Sequence, residues 1–315
     1  MRDRPSFALV VPTLNAGSLW SQWWAALNAQ SVQPSRVLVV DSVSSDDTVA
    51  LARRAGAEIH PVARGEFNHG GTRRWAAGLA PEVDVIVLLT QDAILAAPDA
   101  LESLLAAFED ERVGVAYGRQ LPRPAAGPIE AHARLFNYPA HSHCVDSSNA
   151  GRYGIKAPFL SNSFSAYRVR VLEAVGGFPE RVIQSEDMYV GARMLQQGAR
   201  IAYVGDACVF HSHAYGWRQD FQRYFDIGVF HAQEPWIREA FGGASGEGLR
   251  FVRSELGHLL RRAPWLVPSA MLRTALKLLG FRLGLRQASL PPNWRRRFSM
   301  QKYYWSASPT KGPSR

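Results

Sequence analysis

Three apolar runs, residues 7–11, 37–40 and 85–89, stand out from the polar segments around them. Each is too short for a helix and unbroken by polar residues, the pattern of a strand buried on both faces of a parallel sheet. Helical stretches separate them, at residues 18–30 and from Ser44-Ser45-Asp46-Asp47-Thr48 to about residue 55, where Gly56 ends the turn. A short strand at 58–62, a helix at 72–79, the strand at 84–89, a helix near 98–108 and a strand at 113–117 continue the alternation. This order predicts an open, doubly wound, mainly parallel α/β sheet. All three runs end in polar residues: Pro12-Thr13-Leu14-Asn15, Asp41-Ser42 and Thr90-Gln91-Asp92. Such sheets bind ligands at the carboxyl ends of their strands, so Thr13, Asp41 and Asp92 are expected at one edge.

Regularity fades from 122 to 159, where Pro, Gly, His and Ser are frequent, and the segment reads as a long irregular loop of the kind that is functional or mobile. Order returns with a strand at 161–167, a helix at 169–175, a turn at Gly176-Gly177-Phe178-Pro179 and a helix from Ser185-Glu186-Asp187 to about residue 197. Residues 199–213 read as two short strands joined at Gly205-Asp206. Beyond Gly216 the pattern is helical. The expected organisation is an α/β domain over 1–215, a helical region over 216–302 and a disordered tail over 303–315.

Charge sharpens that boundary. The chain of 315 residues carries a net +9, yet residues 250–302 hold twelve Lys or Arg and a single acid, Glu255, leaving −2 for the rest. The apolar piece at 263–272 is too short to cross a bilayer, and Arg273, Lys277 and Arg282 interrupt any extension. Two readings stay open for this segment: a basic surface lying on anionic lipid, or a solvated cap on the main domain. No nucleic-acid-binding module accompanies the charge, so nucleic acid is not expected as a partner. Cys144 and Cys208 form no disulfide framework and no zinc spacing, and read as inert packing residues in a reducing cytosol. The N-terminus shows no signal-peptide pattern.

The polar candidates each carry two readings. Asp92 can hold Mg²⁺ or Mn²⁺ together with substrate phosphates, or cap the turn after its strand. Asp41 can accept from a base or ribose hydroxyl, or bond its own turn. The loop Asn68-His69-Gly70-Gly71-Thr72-Arg73 suits an anion, with glycines, a helix N-terminus and arginines, or is an ordinary helix start. Glu186 and Asp187 supply a general base kept ionised by the helix dipole, or only favourable first-turn charges. His211 and His213 share one side of a strand and can ligate metal or hold phosphate, or are structural.

Taken in order, Phe7-Ala-Leu-Val-Val-Pro-Thr-Leu-Asn15, Val40-Asp41-Ser42 with Ser44-Ser45-Asp46-Asp47-Thr48, Asp92 and Glu186-Asp187 resemble the family 2 glycosyltransferases. These are inverting, nucleotide-sugar-dependent enzymes of the GT-A fold. Phe67-Asn68-His69-Gly70-Gly71-Thr72-Arg73 with Thr90-Gln91-Asp92-Ala93 is similar to the bacterial branch that builds cell-surface polysaccharide from dTDP-L-rhamnose. The resemblance implies that Thr13 and Asp41 contact the nucleoside, with Pro12, Asn15 and Gln91 shaping its cradle and His69 and Arg73 near the diphosphate or sugar. It also implies Asp92 and His211 as ligands of Mg²⁺ or Mn²⁺, and Asp187 rather than Glu186 as the base. Thr90 stands where the usual Asp-x-Asp motif has its first acid. Glu186, Tyr215 and Trp217 are expected at the acceptor, a saccharide or polyprenyl-linked saccharide reached from the cytoplasm, at the inner face of the membrane. The Gln-x-x-Arg-Trp motif of processive synthases is absent, so single addition is expected. Alternatives are a UDP- or GDP-sugar donor on the same fold, or a non-catalytic nucleotide-binding subunit of an assembly complex.

Overall fold

The computed structural model describes residues 4–243 and 246–305. Among these residues nine strands form one sheet: β1 Phe7–Thr13, β2 Arg36–Asp41, β3 Glu58–Pro61, β4 Val85–Leu89, β5 Ile94–Leu95, β6 Val113–Leu121, β7 His143–Val145, β8 Phe164–Arg168 and β9 Arg200–Phe210. Their order is β3-β2-β1-β4-β8-β6-β9-β5, with β7 also on β9. β3, β2, β1 and β4 are mutually parallel, as are β6 and β9, while β8 runs antiparallel between β4 and β6. The expected mainly parallel sheet is therefore present, with β8 reversed at its centre and the short β5 and β7 reversed on β9. The reversal of β8 matters for function. It brings the amino end of β8, residues 161–163, to the edge where β1, β2, β4, β6 and β9 end.

Alternation along the central strands feeds two cores. Leu9, Val11, Val85, Val87 and Leu89 face one side, against α1 (Leu19–Asn28), whose Trp20, Trp23 and Trp24 interlock, with Trp20 and Trp23 stacked at 4.7 Å. Ala8, Val10, Ile86 and Leu88 face the other, against residues of α3 (His69–Ala77), α7 (Val169–Ala174) and α8 (Glu186–Gln196). A strand with apolar residues on both faces can be stable only when both faces are covered, which is why these runs show no polar alternation.

Three expectations need correction. β9 is one strand, not two: its register against β6 jumps from Gly118↔Val204 to Arg119↔Cys208, so the Gly205-Asp206 pair lies in a bulge that bends the strand without ending it. Residues 122–159 are not irregular throughout, since they contain α5 (Pro128–Asn137), β7 and α6 (Ala150–Tyr153). Cys144 is exposed rather than packed. The remaining helices are α2 (Thr48–Arg54), α4 (Ala100–Ala106), α9 (Trp217–Gln233), α10 (Pro235–Phe241), α11 (Glu247–Arg262), α12 (Val267–Leu285) and α13 (Pro292–Phe298). Every regular element past β9 among the described residues is a helix, as expected, but packing crosses residue 215. Phe225, Val229 and Phe230 of α9 share a core with Ile183 and with Ala192 of α8. Of the expected disordered tail, residues 303–305 are in place, with the Tyr304 hydroxyl donating to Gln233 at 3.0 Å; residues 306–315 lie outside the described residues.

Candidate active site

The strand ends converge. Thr13 donates its hydroxyl to Asp41 at 2.9 Å, and Ser42 N donates to Thr13 O, locking the ends of β1 and β2 together. Asp41 is buried and also accepts from Ser44 N at 2.8 Å and Ser44 Oγ at 2.6 Å, so the turn-capping reading of this residue is realised. Pro12 pairs with Val40 one step back along the ladder. Asn15, at φ 48°, accepts from Ser45 N at 2.8 Å. Gln91 forms a two-way clasp on the Leu14 backbone, accepting from its N at 2.8 Å and donating to its O at 3.1 Å. Both polar atoms of Gln91 are thus occupied in positioning the 12–15 turn.

Next to Gln91, Asp92 faces two histidines from the end of β9. His211 Nε2 lies 3.5 Å from Asp92 Oδ1, and His213 Nε2 lies 3.7 Å from Oδ2. One ligand atom from each of the three can be chosen so that all lie within 4.8 Å of one another. His211 Nδ1 is 2.9 Å from Gln120 Oε1, which fixes Nδ1 as the donor and leaves the Nε2 lone pair facing Asp92. Burial would raise the Asp92 carboxyl, but in acid, where the imidazoles are protonated, the hydrogen bond and charge of His211, reinforced by His213, hold it well below the usual carboxylate range. Burial lowers both imidazoles, His213 to about 4. At neutral pH the trio is therefore one carboxylate and two neutral imidazoles, the donor set and protonation state a divalent cation requires. His213 joins Asp92 and His211 here. The His-Ser-His spacing had brought the two rings to one side of a strand, and the structure supplies the shared partner.

Asp187 closes the other side. It accepts from Met188 N at 2.8 Å and from Asn162 N at 3.4 Å, so β8's leading segment holds its carboxylate. Ser161, adjacent to Asn162, accepts from Gln120 Nε2 at 2.8 Å, and Gln120 is the residue that orients His211. A series of contacts, at 3.4 Å from Asp187 to Asn162 N and 3.5 Å from His211 to Asp92, therefore links Asp187 through the adjacent residues 161 and 162 and Gln120 to the trio. The neighbouring Glu186 takes a different part. It is buried, accepts from Arg73 Nη1 at 2.5 Å and from Asn162 Nδ2 at 3.1 Å, and burial's penalty on its charge is outweighed by Arg73, which keeps it below the usual range.

Arg73 and Glu186 are thus paired with each other inside the protein, not turned toward a sugar or an acceptor as expected. The glycines before Arg73 are also spoken for. A Cβ on Gly70 would sit 1.8 Å from Pro179 O, and one on Gly71 would strike the Asn68 side chain, which caps α3 by accepting from Gly71 N. The loop docks α3 against the 176–179 turn, and His69 is left exposed at its start. Gly70→Ala is expected to cost about 1–3 kcal/mol as an overpacked position, read as a lower urea midpoint with an unchanged slope.

Asp187 departs from expectation in its titration. Desolvation first, and then the charge of Glu186, push its carboxyl up to about 7, against the smaller pull of Met188 N and Arg73. The helix dipole does not keep it ionised; Ser185 enters α8 in a left-handed conformation and caps nothing with its side chain. Two adjacent carboxyls are driven apart in acidity, the arrangement in which one is structural and the other exchanges protons near neutrality. Tyr215 stacks on His213 at 5.3 Å, while Trp217 is half exposed and donates to Ser269 Oγ at 3.1 Å.

A model described as "Glycosyltransferase like family 2" matches residues 5–225. The chain belongs to the family 2 glycosyltransferases. This transferase is 50% identical over 303 residues to the O-antigen chain rhamnosyltransferase WbaN of Salmonella anatum, covering 96% of each chain. It is 48% identical over 299 residues to the O-antigen chain rhamnosyltransferase RfbN of Salmonella typhimurium, covering 95% of each. In fold it is similar to a mannosyltransferase of Pyrobaculum calidifontis solved with GDP-Man and Mn²⁺ (TM-score 0.56, 22% identity, 96% of this chain and 86% of that one). TarS 1–349 of S. aureus, solved with UDP-GlcNAc, is also similar (TM-score 0.53, 16% identity, 90% and 92%). Among its described residues the transferase has no helix long and apolar enough to cross a membrane.

Proposed function

We propose that this transferase moves L-rhamnose from dTDP-L-rhamnose to a hydroxyl of a saccharide carried on a polyprenyl diphosphate, in one inverting displacement, during cell-surface polysaccharide synthesis. The observation that carries the mechanism is the series of contacts joining Asp187 to the Asp92–His211–His213 trio across the carboxyl edge of the sheet. The sugar and pathway rest on the two rhamnosyltransferase relatives, which match nearly end to end. Thr13, Asp41 and the turn clasped by Gln91 would seat the nucleoside. Asp187 takes the acceptor's proton as its oxygen attacks the anomeric carbon. A carboxylate pushed up to about 7 is a stronger base than an ordinary aspartate and is still substantially ionised at working pH. Mg²⁺ or Mn²⁺ held by Asp92, His211 and His213 would supply Lewis-acid compensation for charge on the departing diphosphate.

Donor choice is tested by calorimetric titration with dTDP-L-rhamnose, UDP-glucose and GDP-mannose in Mn²⁺. Tighter binding of dTDP-L-rhamnose is expected, and equal or better binding of a UDP- or GDP-sugar would overturn the donor assignment. The acid limb of kcat/KM reports the free enzyme's base, so activity should fall below about pH 7. Glu186→Gln removes the charge that raises Asp187 and should move that limb to lower pH. A limb that stays in place in this variant contradicts the pairing.

We assign the basic helices to an anionic lipid surface. α11 to α13 combine the exposed Leu260, Trp265 and Trp294, at 63%, 73% and 54%, with Arg261, Arg262, Arg295, Arg296 and Arg297. Apolar side chains next to arginines suit the headgroup boundary, where each basic residue contributes about 1 kcal/mol. Sedimentation with phosphatidylglycerol vesicles, lost in high salt, is the expected result; equal binding to neutral vesicles would count against the charge-based attachment.

A further inference from the structure

Among the described residues, Asn162, just ahead of the reversed strand β8, alone bonds both acids at the start of α8. Its backbone N donates to Asp187 at 3.4 Å and its Nδ2 donates to Glu186 Oε1 at 3.1 Å. The side chain is buried, and both ends of its amide are engaged. Oδ1 accepts from the Tyr167 hydroxyl at 2.6 Å and from Ser165 Oγ at 3.0 Å. An ionised Glu186 can only accept, so the amide has to turn Nδ2 toward it and Oδ1 toward the two hydroxyls.

Both hydroxyls come from β8. Ser165 and Tyr167 lie two apart on one strand and share a face, paired with Leu88 and Ile86 of β4 and with Tyr117 and Val115 of β6. Those four neighbours belong to the apolar core shared with α8. Ser165 and Tyr167 are wholly buried there. Alanine and phenylalanine would fill the same positions, and a buried hydroxyl costs stability unless it is bonded. Packing of the sheet therefore calls for neither hydroxyl, whereas the orientation of Asn162 calls for both. The segment carrying Asn162 is pinned as well: Thr90 N donates to Ser163 O at 3.2 Å, and Phe164 N donates to Ser161 O at 3.3 Å. Glu186 is thus held by Arg73 and by a fixed amide, and Asp187 follows it directly on the helix.

We propose that Asn162, oriented by Tyr167 and Ser165, is a positioning residue for sugar transfer. It keeps the two acids in separate roles, Asp187 exchanging the acceptor's proton and Glu186 staying ionised inside the protein. The role given to Asp187 rests on the transferase reading; the hold on both acids does not. The other ionisable groups facing the pair are Arg73 and His69 of α3, Tyr167 of β8 and Tyr138 at the end of α5. Burial raises both tyrosines, so they stay protonated across the neutral range.

The test follows the carboxyl titrations of the full chain by ¹³C NMR in the wild type, Asn162→Ala and Tyr167→Phe. In the wild type Glu186 and Asp187 should titrate well apart. Asn162→Ala removes a donor that favours ionised Glu186, so the two titrations should draw together by about one pH unit, the scale of one charge-assisted hydrogen bond. Tyr167→Phe keeps the amide and loses only a hydroxyl; it should give a smaller change of the same sign, which reads the hold even if Asn162→Ala folds poorly. Turnover should fall at least about 10-fold in Asn162→Ala with donor KM unchanged. Added to Asp187→Asn, the same substitution should cost nothing more, because residues that act through one group are not additive. A merely structural role would lower the melting temperature, leave the titrations apart and add to the Asp187→Asn loss. Titrations that stay apart in both variants, or additive losses of turnover, would overturn the proposal. Titrations that converge while the wild type transfers no sugar would instead fault the transferase reading and leave the hold on the acids standing.

Discussion

Replacing Asp187 with Asn is expected to lower turnover by about 10²–10⁴-fold, the usual value of general-base assistance, with donor affinity little changed. Asn still offers an oxygen to Met188 N, so the start of α8 keeps its contact. Stability should move the other way from activity. The folded-state acidity of Asp187, about 7, lies above its ordinary 3.8, so the unfolded chain releases this proton first as pH rises. Folding stability is therefore lost progressively between about pH 4 and 7, and the cost is complete above that range. Asn cannot ionise and escapes it. Thermal melts at pH 8 should place the variant at or above the wild type, while the two converge toward pH 4. Full activity in Asp187→Asn would remove the base assignment, and a lower melting temperature at pH 8 would contradict the electrostatic account.

Asp92→Ala is expected to weaken Mn²⁺ binding at least about 100-fold, the upper end of what loss of a supporting partner alone does to metal sites. It removes the only carboxylate of the trio and leaves two neutral imidazoles. Donor binding in Mn²⁺ should weaken in parallel. In EDTA the sign reverses: the backbone carbonyl at 92 still accepts from Arg123, the local charge becomes more positive, and dTDP should bind at least as tightly as to the wild type. Titrations with and without chelator check both halves. Unchanged Mn²⁺ affinity would dismiss Asp92 as a ligand.

Much of the frame was legible because it follows from local pattern. The apolar runs and their polar ends at Thr13, Asp41 and Asp92 located both the sheet and its working edge. Strand direction was not legible, since a buried strand looks the same in either sense; β8 therefore gave no sign that its reversal would deliver Asn162 to Asp187 and Glu186. β5, two residues long, is too short to leave a period. α5 was hidden by the Pro, Gly and His around it. The loop before Arg73 was misleading for a physical reason. Glycine allows close approach of a backbone to an anion or to another backbone alike, and Pro179 O is what approaches Gly70. The partner of Arg73 lies 113 residues away, beyond any local signal. For Asp187 the error was one of magnitude. A first-turn position favours ionisation by a fraction of a kcal/mol to about 1, less than desolvation beside the charged Glu186 takes away.

The most direct test of the transfer reaction follows dTDP release from dTDP-L-rhamnose in the presence of Mn²⁺ and a polyprenyl-diphosphate-linked saccharide extracted from the native membrane. The account predicts acceptor-dependent release, formation of a rhamnosylated product of inverted anomeric configuration, and loss of both in Asp187→Asn. Retained configuration, or equal turnover with UDP-glucose or GDP-mannose in place of dTDP-L-rhamnose, would contradict it.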